Sequence, residues 1–318
     1  MSSISMPERF RSRRIGSAAG AAALAVLALA GCSTSSSAST TSGGSTTINV
    51  VAAENFWGSL AGQLGGSHVK VTSIINNPDA DPHDYEPTAA DGREIASAKL
   101  AIINGVGYDA WATKLADANP SSARTTLTVG DLVGAKDGDN PHRWYNPTNV
   151  RQVIDQITAD YKKIDPADAS FFDTQHDTVI NTNLKTYFDT IASIKANYSG
   201  TPVGASESIF AMLSPALGLN LLTPSAFLTD ISEGSDPSAQ DKATIDNQIK
   251  NKQIKVYVYN SQNATPDVQQ QVNEAKAAGI PVSTITETLT PAGASFQDWQ
   301  VAQLNALNQA LSQATGKQ

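Results

Sequence analysis

Apolar positions fall into short clusters along most of the chain, separated by polar or glycine-containing stretches. From Thr47 onward, short runs rich in β-branched residues alternate with longer segments in which apolar residues recur at helical spacing. The short runs predict strands at 48–52, 69–75, 100–104, 125–129, 203–205, 254–259 and 282–285. Strands that alternate with helices predict an α/β fold with parallel sheets, because neighbouring parallel strands need a crossover connection.

One segment departs from this alternation. In 173–198 the apolar positions repeat at helical spacing over about seven turns. This periodicity predicts a single long helix with an α/β lobe on each side. We therefore expect an N-terminal lobe (N-lobe) over 47–172, a linking helix over 173–198 and a C-terminal lobe (C-lobe) over 199–318.

Residues 1–31 have the pattern of an export signal. Four arginines between positions 9 and 14 precede an apolar run that is short and glycine-broken for a membrane span. The run ends in Leu29-Ala30-Gly31-Cys32, the pattern of a bacterial lipobox. We expect cleavage before Cys32 and lipidation of its sulfur, with an ordinary signal peptide and an accidental cysteine as the alternative. The Ser/Thr/Gly-rich stretch that follows predicts a flexible tether over 32–46, and the export route, Sec or twin-arginine, stays open.

Composition excludes several classes of function. The formal charge of −8 at pH 7 disfavours nucleic-acid binding, because an acidic body repels phosphates. Cys32 is the only cysteine, which rules out an internal disulfide and a thiolate-rich metal site. Any bound metal must therefore have nitrogen and oxygen ligands. The sequence also contains no phosphate-binding loop, nucleophile elbow or Cys/His catalytic pair.

The four histidines have different surroundings. His68 has no acid near it in the sequence and is expected in an exposed loop, and His176 is expected on the surface of the long helix. His83 and His142 each follow a proline in an acid-flanked loop between a strand and a helix, where α/β sheets place ligand sites. Because proline restricts the backbone, each imidazole would lose less entropy when it binds a metal. Two such dipeptides in one lobe favour a metal site.

Three longer motifs make the pattern specific. DPHDYEPT at 81–88, NPHRWYNP at 140–147 and ETLTPAGASFQDW at 287–299 resemble the zinc- and manganese-binding lipoproteins of metal ABC importers. The resemblance spans roughly 47–315 and implies two lobes, each a mostly parallel sheet flanked by helices, joined by one long rigid helix. It also implies four metal ligands, two from each lobe.

The motifs assign a residue to each ligand position. His83 and His142 match the N-lobe ligands. In the C-lobe, Glu207 stands where many zinc-type members have histidine, and Glu287 stands where aspartate is common. Taken without the resemblance, Glu207 could be an acid at a helix N-terminus and Glu287 a solvated loop acid. The resemblance does not fix the cleft wall at Ala53–Gly58, where the sequence departs from the family's usual helix-entry motif.

The resemblance implies a monomeric receptor, not an enzyme, that carries a divalent metal to an ABC transporter permease and is held outside the cytoplasm by its lipid anchor. Two imidazoles and two carboxylates suit Mn²⁺ or Zn²⁺, with Fe²⁺ as a further candidate. Zinc binds such sites more strongly than manganese. However, the long His/Asp-rich loop of many zinc-type members is missing. The alternatives are a metal-dependent hydrolase, which needs an open coordination position for water, and a surface adhesin.

Overall fold

Two four-stranded parallel sheets form the framework of the protein in a computed structural model, which describes residues 47–78, 83 and 85–317. The N-lobe sheet has the order β2-β1-β3-β4, with β1 at Ile48–Glu54, β2 at Val69–Ile75, β3 at Leu100–Ile103 and β4 at Thr125–Thr128. The C-lobe sheet has the order β6-β5-β7-β8, with β5 at Pro202–Ala205, β6 at Asn220–Leu221, β7 at Val256–Asn260 and β8 at Val282–Ile285. These sheets confirm the predicted α/β fold class.

Twelve α-helices connect and cover the described strands. Those of the N-lobe are α1 at Asn55–Gly65, α2 at Ala89–Ser97, α3 at Ala110–Ala118, α4 at Val129–Leu132 and α5 at Pro147–Ile164. Between the lobes lie α6 at Ala169–Thr178 and α7 at Lys185–Tyr198. The C-lobe contains α8 at Ile209–Leu213, α9 at Ser225–Ser232, α10 at Ala239–Lys250, α11 at Pro266–Ala277 and α12 at Phe296–Thr315. None of the helices in the described residues is long and apolar enough to span a membrane.

Side-chain caps set several helix starts. Thr88 forms a capping box with Asp91, so α2 begins at Ala89, directly after Thr88. Asn146 accepts hydrogen bonds from the N–H groups of Thr148 and Asn149, and Pro147 occupies the first helical position of α5. The α5 cap matters for function because it fixes the helix that directly follows the loop containing His142.

The predicted single helix between the lobes is interrupted. It starts at Ala169, four residues before the predicted position, and Val179–Asn183 forms a π-helical turn between α6 and α7. The sequence pattern did not reveal this turn because Ile180 stands four residues before Leu184, which is a helical spacing. In the structure the buried residue is Val179, five residues before Leu184, and the N–H of Leu184 donates to the carbonyl of Val179 as in a π turn. The Asn183 side chain in this turn donates a hydrogen bond of 2.9 Å to Oε1 of Gln63 in α1. The turn is therefore tied to the N-lobe.

One hydrophobic core runs from the N-lobe through the linking helices into the C-lobe. Its largest members include Trp144 of the N-lobe, Phe172 and Tyr187 of the linking helices, and Trp299 of the C-lobe. Smaller clusters cover the outer face of each sheet. Because both lobes share one core, their relative position is held by the same burial that stabilises each of them.

We expect Phe172→Ala to lower the free energy of unfolding by about 3–5 kcal/mol, the usual cost of deleting a buried aromatic side chain. Phe172 is fully buried, and its ring centroid lies 5.3 Å from that of Tyr161 in α5. Chemical denaturation measures the change. Thr174→Ala, at an exposed position of the same helix, is the control and should shift stability by no more than about 0.5 kcal/mol. Equal stability of the two variants would contradict this account of the core.

Candidate metal centre

His142 lies in the loop before α5 and is fully buried. Its Nδ1 is 2.9 Å from Oδ1 of Asn140, and its Nε2 is 3.2 Å from Oε1 of Glu287 in the C-lobe. The amide of Asn140 has a fixed orientation, because its Nδ2 donates a 2.7 Å hydrogen bond to the carbonyl of Ser208. The oxygen of Asn140 thus faces the ring and accepts from Nδ1–H. This leaves the lone pair of Nε2 for a ligand.

Burial also sets the charge of this ring. It lowers the pKa of His142 to about 4, against the opposing effect of the Glu207 carboxylate. The imidazole is therefore neutral at pH 7, which is the form that binds metals. The 3.2 Å between Nε2 of His142 and Oε1 of Glu287 fits two ligands of one cation. Two ligand atoms on the same ion lie about 3.0–3.4 Å apart when each bond to the ion is about 2.1 Å.

His83 and Glu287 complete a group of three potential ligands. One ligand atom from each of His83, His142 and Glu287 lies within 4.8 Å of the others. Nε2 of His83 is 3.9 Å from Oε1 of Glu287. The His83 side chain is 26% exposed, whereas that of His142 is fully buried, so the group is reached from the His83 side.

Glu287 is held in place by its backbone. It follows β8, and the N–H groups of Glu287 and Thr288 both donate to Oε1 of Gln262, at 2.6 and 3.0 Å. The residue is 9% exposed, so it is not the solvated loop acid of the alternative interpretation. Its carboxylate reaches the N-lobe histidines because the carboxyl ends of parallel strands converge on the same edge of a sheet.

Glu207 lies beside this group but outside it. It follows β5 and is 1% exposed; Ser232 donates to its Oε1 at 3.3 Å and Asn260 to its Oε2 at 2.7 Å. Burial and then the nearby Glu287 raise the pKa of Glu207. The structure thus brings three of the four predicted ligands together and places the fourth next to them, with both oxygens hydrogen-bonded to neighbouring side chains.

Comparison with known proteins assigns the family. Residues 50–310 match the family model described as ZnuA, zinc-uptake complex component A periplasmic. This chain belongs to that family. It thus shares its ancestry with the component named in that description.

Named relatives cover similar lengths. The metal ABC transporter substrate-binding lipoprotein ScbA of Streptococcus cristatus is 26% identical over 266 residues, which cover 76% of this chain and 81% of ScbA. The manganese ABC transporter substrate-binding lipoprotein PsaA of Streptococcus pneumoniae is 25% identical over 265 residues, or 76% of this chain and 82% of PsaA. A Mn-bound S38A mutant of a periplasmic metal binding protein from Candidatus Liberibacter asiaticus superposes with a TM-score of 0.70. At 21% identity over 82% of this chain and 98% of that one, it shares the fold.

Two serines join His142 to Glu207 and were not predicted from the sequence. Oγ of Ser208 lies 3.2 Å from Nδ1 of His142 and 2.6 Å from Oγ of Ser232, which donates to Glu207. Ser208 directly follows Glu207 and could have been suspected from its position. Ser232 is the last residue of α9, and nothing in the local sequence indicates its role. Together with Asn140, these hydroxyls connect His142 of the N-lobe to Glu207 of the C-lobe.

The two remaining histidines are paired with acids far away in the sequence. Nδ1 of His68 is 2.9 Å from Oδ2 of Asp168, and Asp165 lies in the same cluster. The expectation of an exposed histidine without an acid is therefore wrong for His68, since the acids come from the connection between α5 and α6. Nε2 of His176 is 2.7 Å from Oδ1 of Asp155, in agreement with a polar surface position.

We expect the imidazole of His142 to remain neutral with its proton on Nδ1 when the metal-free protein is taken from pH 7 to about pH 5. Burial keeps its pKa near 4, below this range, because charging the ring would cost desolvation energy. Ring ¹⁵N resonances report both the tautomer and the charge, and His142→Gln identifies the signal. An imidazolium pattern that appears above pH 5 would contradict the assignment.

Proposed function

We propose that the protein captures a divalent transition-metal ion, Mn²⁺ or Zn²⁺, in the cleft between its lobes and delivers it to an ABC importer. The observation that supports this most strongly is the group formed by His83, His142 and Glu287, whose ligand atoms lie within 4.8 Å of one another. Two of these residues come from the N-lobe and one from the C-lobe. A bound ion would therefore join the lobes.

Glu207 is proposed as the fourth ligand. Its carboxylate would exchange the hydrogen bonds from Ser232 and Asn260 for the metal, or share them with it. Two carboxylates balance the charge of a divalent ion in a partly desolvated cleft, which offsets the cost of removing its water. The resulting set of two nitrogens and two oxygens accepts manganese, iron(II) or zinc, and zinc binds such sets more strongly than manganese.

Membership of the family supports carriage of the ion. ScbA and PsaA are named as substrate-binding lipoproteins of metal ABC transporters, PsaA for manganese, and the family description names zinc uptake. We infer that this chain acts as a monomer outside the cytoplasm and that the permease recognises its loaded form. The lipid anchor is proposed at Cys32, which lies outside the described residues, as do the signal peptide and the tether.

We do not propose a hydrolase. A catalytic site needs an open coordination position for a reacting water, and a shell of four protein ligands leaves none in tetrahedral geometry. A surface adhesin is also not favoured, because no feature of the described residues identifies a partner for it. Carriage requires only that the ion enter, be held and leave.

We expect His142→Ala to weaken binding of Mn²⁺ and Zn²⁺ by more than about 100-fold. Loss of a residue that only hydrogen-bonds to a metal ligand already weakens metal binding by about 10–100-fold, and loss of the ligand itself should weaken it further. His83→Ala should weaken it as well. Calorimetry on chelator-stripped protein measures both variants. His176→Ala, which removes a partly exposed histidine from the linking helix, is the control and should bind like the unaltered chain. Unchanged binding in both ligand variants would overturn the proposed function.

We expect Glu207→Gln to weaken binding by at least about tenfold, since it removes one of two charges that balance the ion. The glutamine keeps the shape of the side chain and can still accept from Asn260. Glu274→Gln, in α11 away from the cleft, is the matched control. An affinity equal to that of the unaltered chain would show that three residues, without Glu207, hold the ion.

A further inference from the structure

The turn between β3 and α3, Asn104–Asp109, has an unusual backbone. Gly105, Val106 and Gly107 all have positive φ angles, of 73°, 60° and 78°. Glycine adopts this conformation freely, but for a β-branched residue such as Val106 it is strained. Such strain persists only where surrounding interactions fix the conformation, and it is concentrated at functional sites. The turn therefore needs something that holds it.

Asp109 holds the turn closed. Its Oδ2 accepts a hydrogen bond from the N–H of Asn104, and its Oδ1 accepts one from the N–H of Gly105, both at 2.7 Å. The Asp109 residue is fully buried, so these bonds are not shared with bulk solvent. Hydrogen bonds from backbone N–H groups to a carboxylate are among the stronger ones in proteins.

A second buried acid supports Asp109 from behind. Glu54, the last residue of β1, is fully buried, and its carboxyl contacts that of Asp109. No N–H or O–H group of the described residues donates to either oxygen of Glu54. Burial and then Asp109 raise the pKa of Glu54 well above its usual range, because two adjoining buried carboxylates cannot both ionise. Glu54 therefore favours its protonated form, whose O–H group can be directed at the Asp109 carboxylate.

The closed turn contacts both histidine loops. The ring centroid of Tyr108 lies 4.8 Å from that of His83 and 5.9 Å from that of His142, edge-on to each. On the other side, Nδ2 of Asn104 donates a 2.9 Å hydrogen bond to the carbonyl of Pro141, the residue before His142. The strained turn thus contacts the rings of both His83 and His142, and it also contacts the carbonyl of Pro141 in the peptide group that precedes His142.

We propose that Asn104–Asp109 is the positioning element of the N-lobe half of the metal centre, with Asp109 as the residue that holds it and Glu54 as the acid that supports Asp109. This inference rests on the proposed function. It assigns a role to Glu54, which lies in the segment Ala53–Gly58 where the sequence departs from the family's usual motif. The element fixes the two imidazoles before the ion arrives, so that less ordering is needed on binding.

The first test compares Asp109→Asn with Asp160→Asn. Asp160 is also a buried aspartate of the N-lobe, 6% exposed, but it accepts from Gln156 within α5. Mn²⁺ affinity is measured by calorimetry at a temperature where both variants are folded, and thermal denaturation is recorded beside it. We expect Asp109→Asn to weaken Mn²⁺ binding by about 10–100-fold, and Asp160→Asn to leave it within about twofold whatever its loss of melting temperature.

The second test uses two substitutions of Glu54. In Glu54→Gln the amide N–H₂ replaces the carboxyl O–H as donor to Asp109, so Mn²⁺ affinity should remain within about threefold. Glu54→Leu keeps a similar volume but cannot donate, so affinity should fall even where the melting temperature is unchanged or higher. If Glu54 only stabilised the fold, Mn²⁺ affinity would follow the melting temperature in both variants and would not be kept by glutamine and lost with leucine. If Asp109→Asn fails to fold, Asn104→Ala, which removes the bond to Pro141, takes its place.

The outcomes separate the two proposals. If the unaltered chain binds neither Mn²⁺ nor Zn²⁺, the proposed function fails. If the unaltered chain binds Mn²⁺ and the variants of Asp109, Asn104 and Glu54 bind it equally well, the positioning element alone is overturned. A loss of affinity in Asp109→Asn that Asp160→Asn matches would also overturn it, because the effect would then follow general destabilisation of the lobe.

Discussion

The candidate site depends on one contact between the lobes, the 3.2 Å approach of Nε2 of His142 to Oε1 of Glu287. The imidazole is kept neutral by burial, and the carboxylate gains no charged partner from it. In the proposed function, a divalent ion would lie between these two atoms and be bound by both. The loops before α5 and after β8, together with the core shared by the lobes, keep these two atoms at that distance.

The lobes are held together in two ways. The shared hydrophobic core fixes their overall position, with Phe172 and Tyr187 of the linking helices packed in it. Beside it, Gln63 of α1 exchanges hydrogen bonds with Gln297 of α12 and accepts one from Asn183 of the π-helical turn. A junction built in this way favours small shifts of loops and side chains over wide hinge opening. The exchange of partners that we propose at Glu207 would be a movement of that size.

Local patterns in the sequence predicted most of the fold. Runs of β-branched residues identified seven of the eight strands in the described part of the chain, and the missed one, Asn220–Leu221, has only two residues and no pattern of its own. The π-helical turn escaped prediction because Ile180 offered an ordinary helical spacing to Leu184, whereas the residue that the fold buries is Val179. The histidines and Glu287 were predicted from motifs that lie within continuous stretches of chain.

Partners brought together by the fold were harder to predict. The acids beside His68 come from positions 165 and 168, and Glu54 meets an aspartate 55 residues further along the chain. Such pairs leave no signal in the sequence near either member, because only the tertiary structure sets their distance. What the sequence did indicate at 53–58 was a departure from the family's usual motif, and this segment contains Glu54, one member of the buried acid pair.

The protonation of Glu54 bears on the strength of metal binding. Glu287 is close enough to raise the pKa of Glu54 further, so an ionised Glu54 would add another negative charge beside Asp109 and the proposed ligand carboxylates. Excess negative charge would slow release, and a carrier must release its ion to the permease. By keeping its proton, Glu54 can support Asp109 without adding that charge.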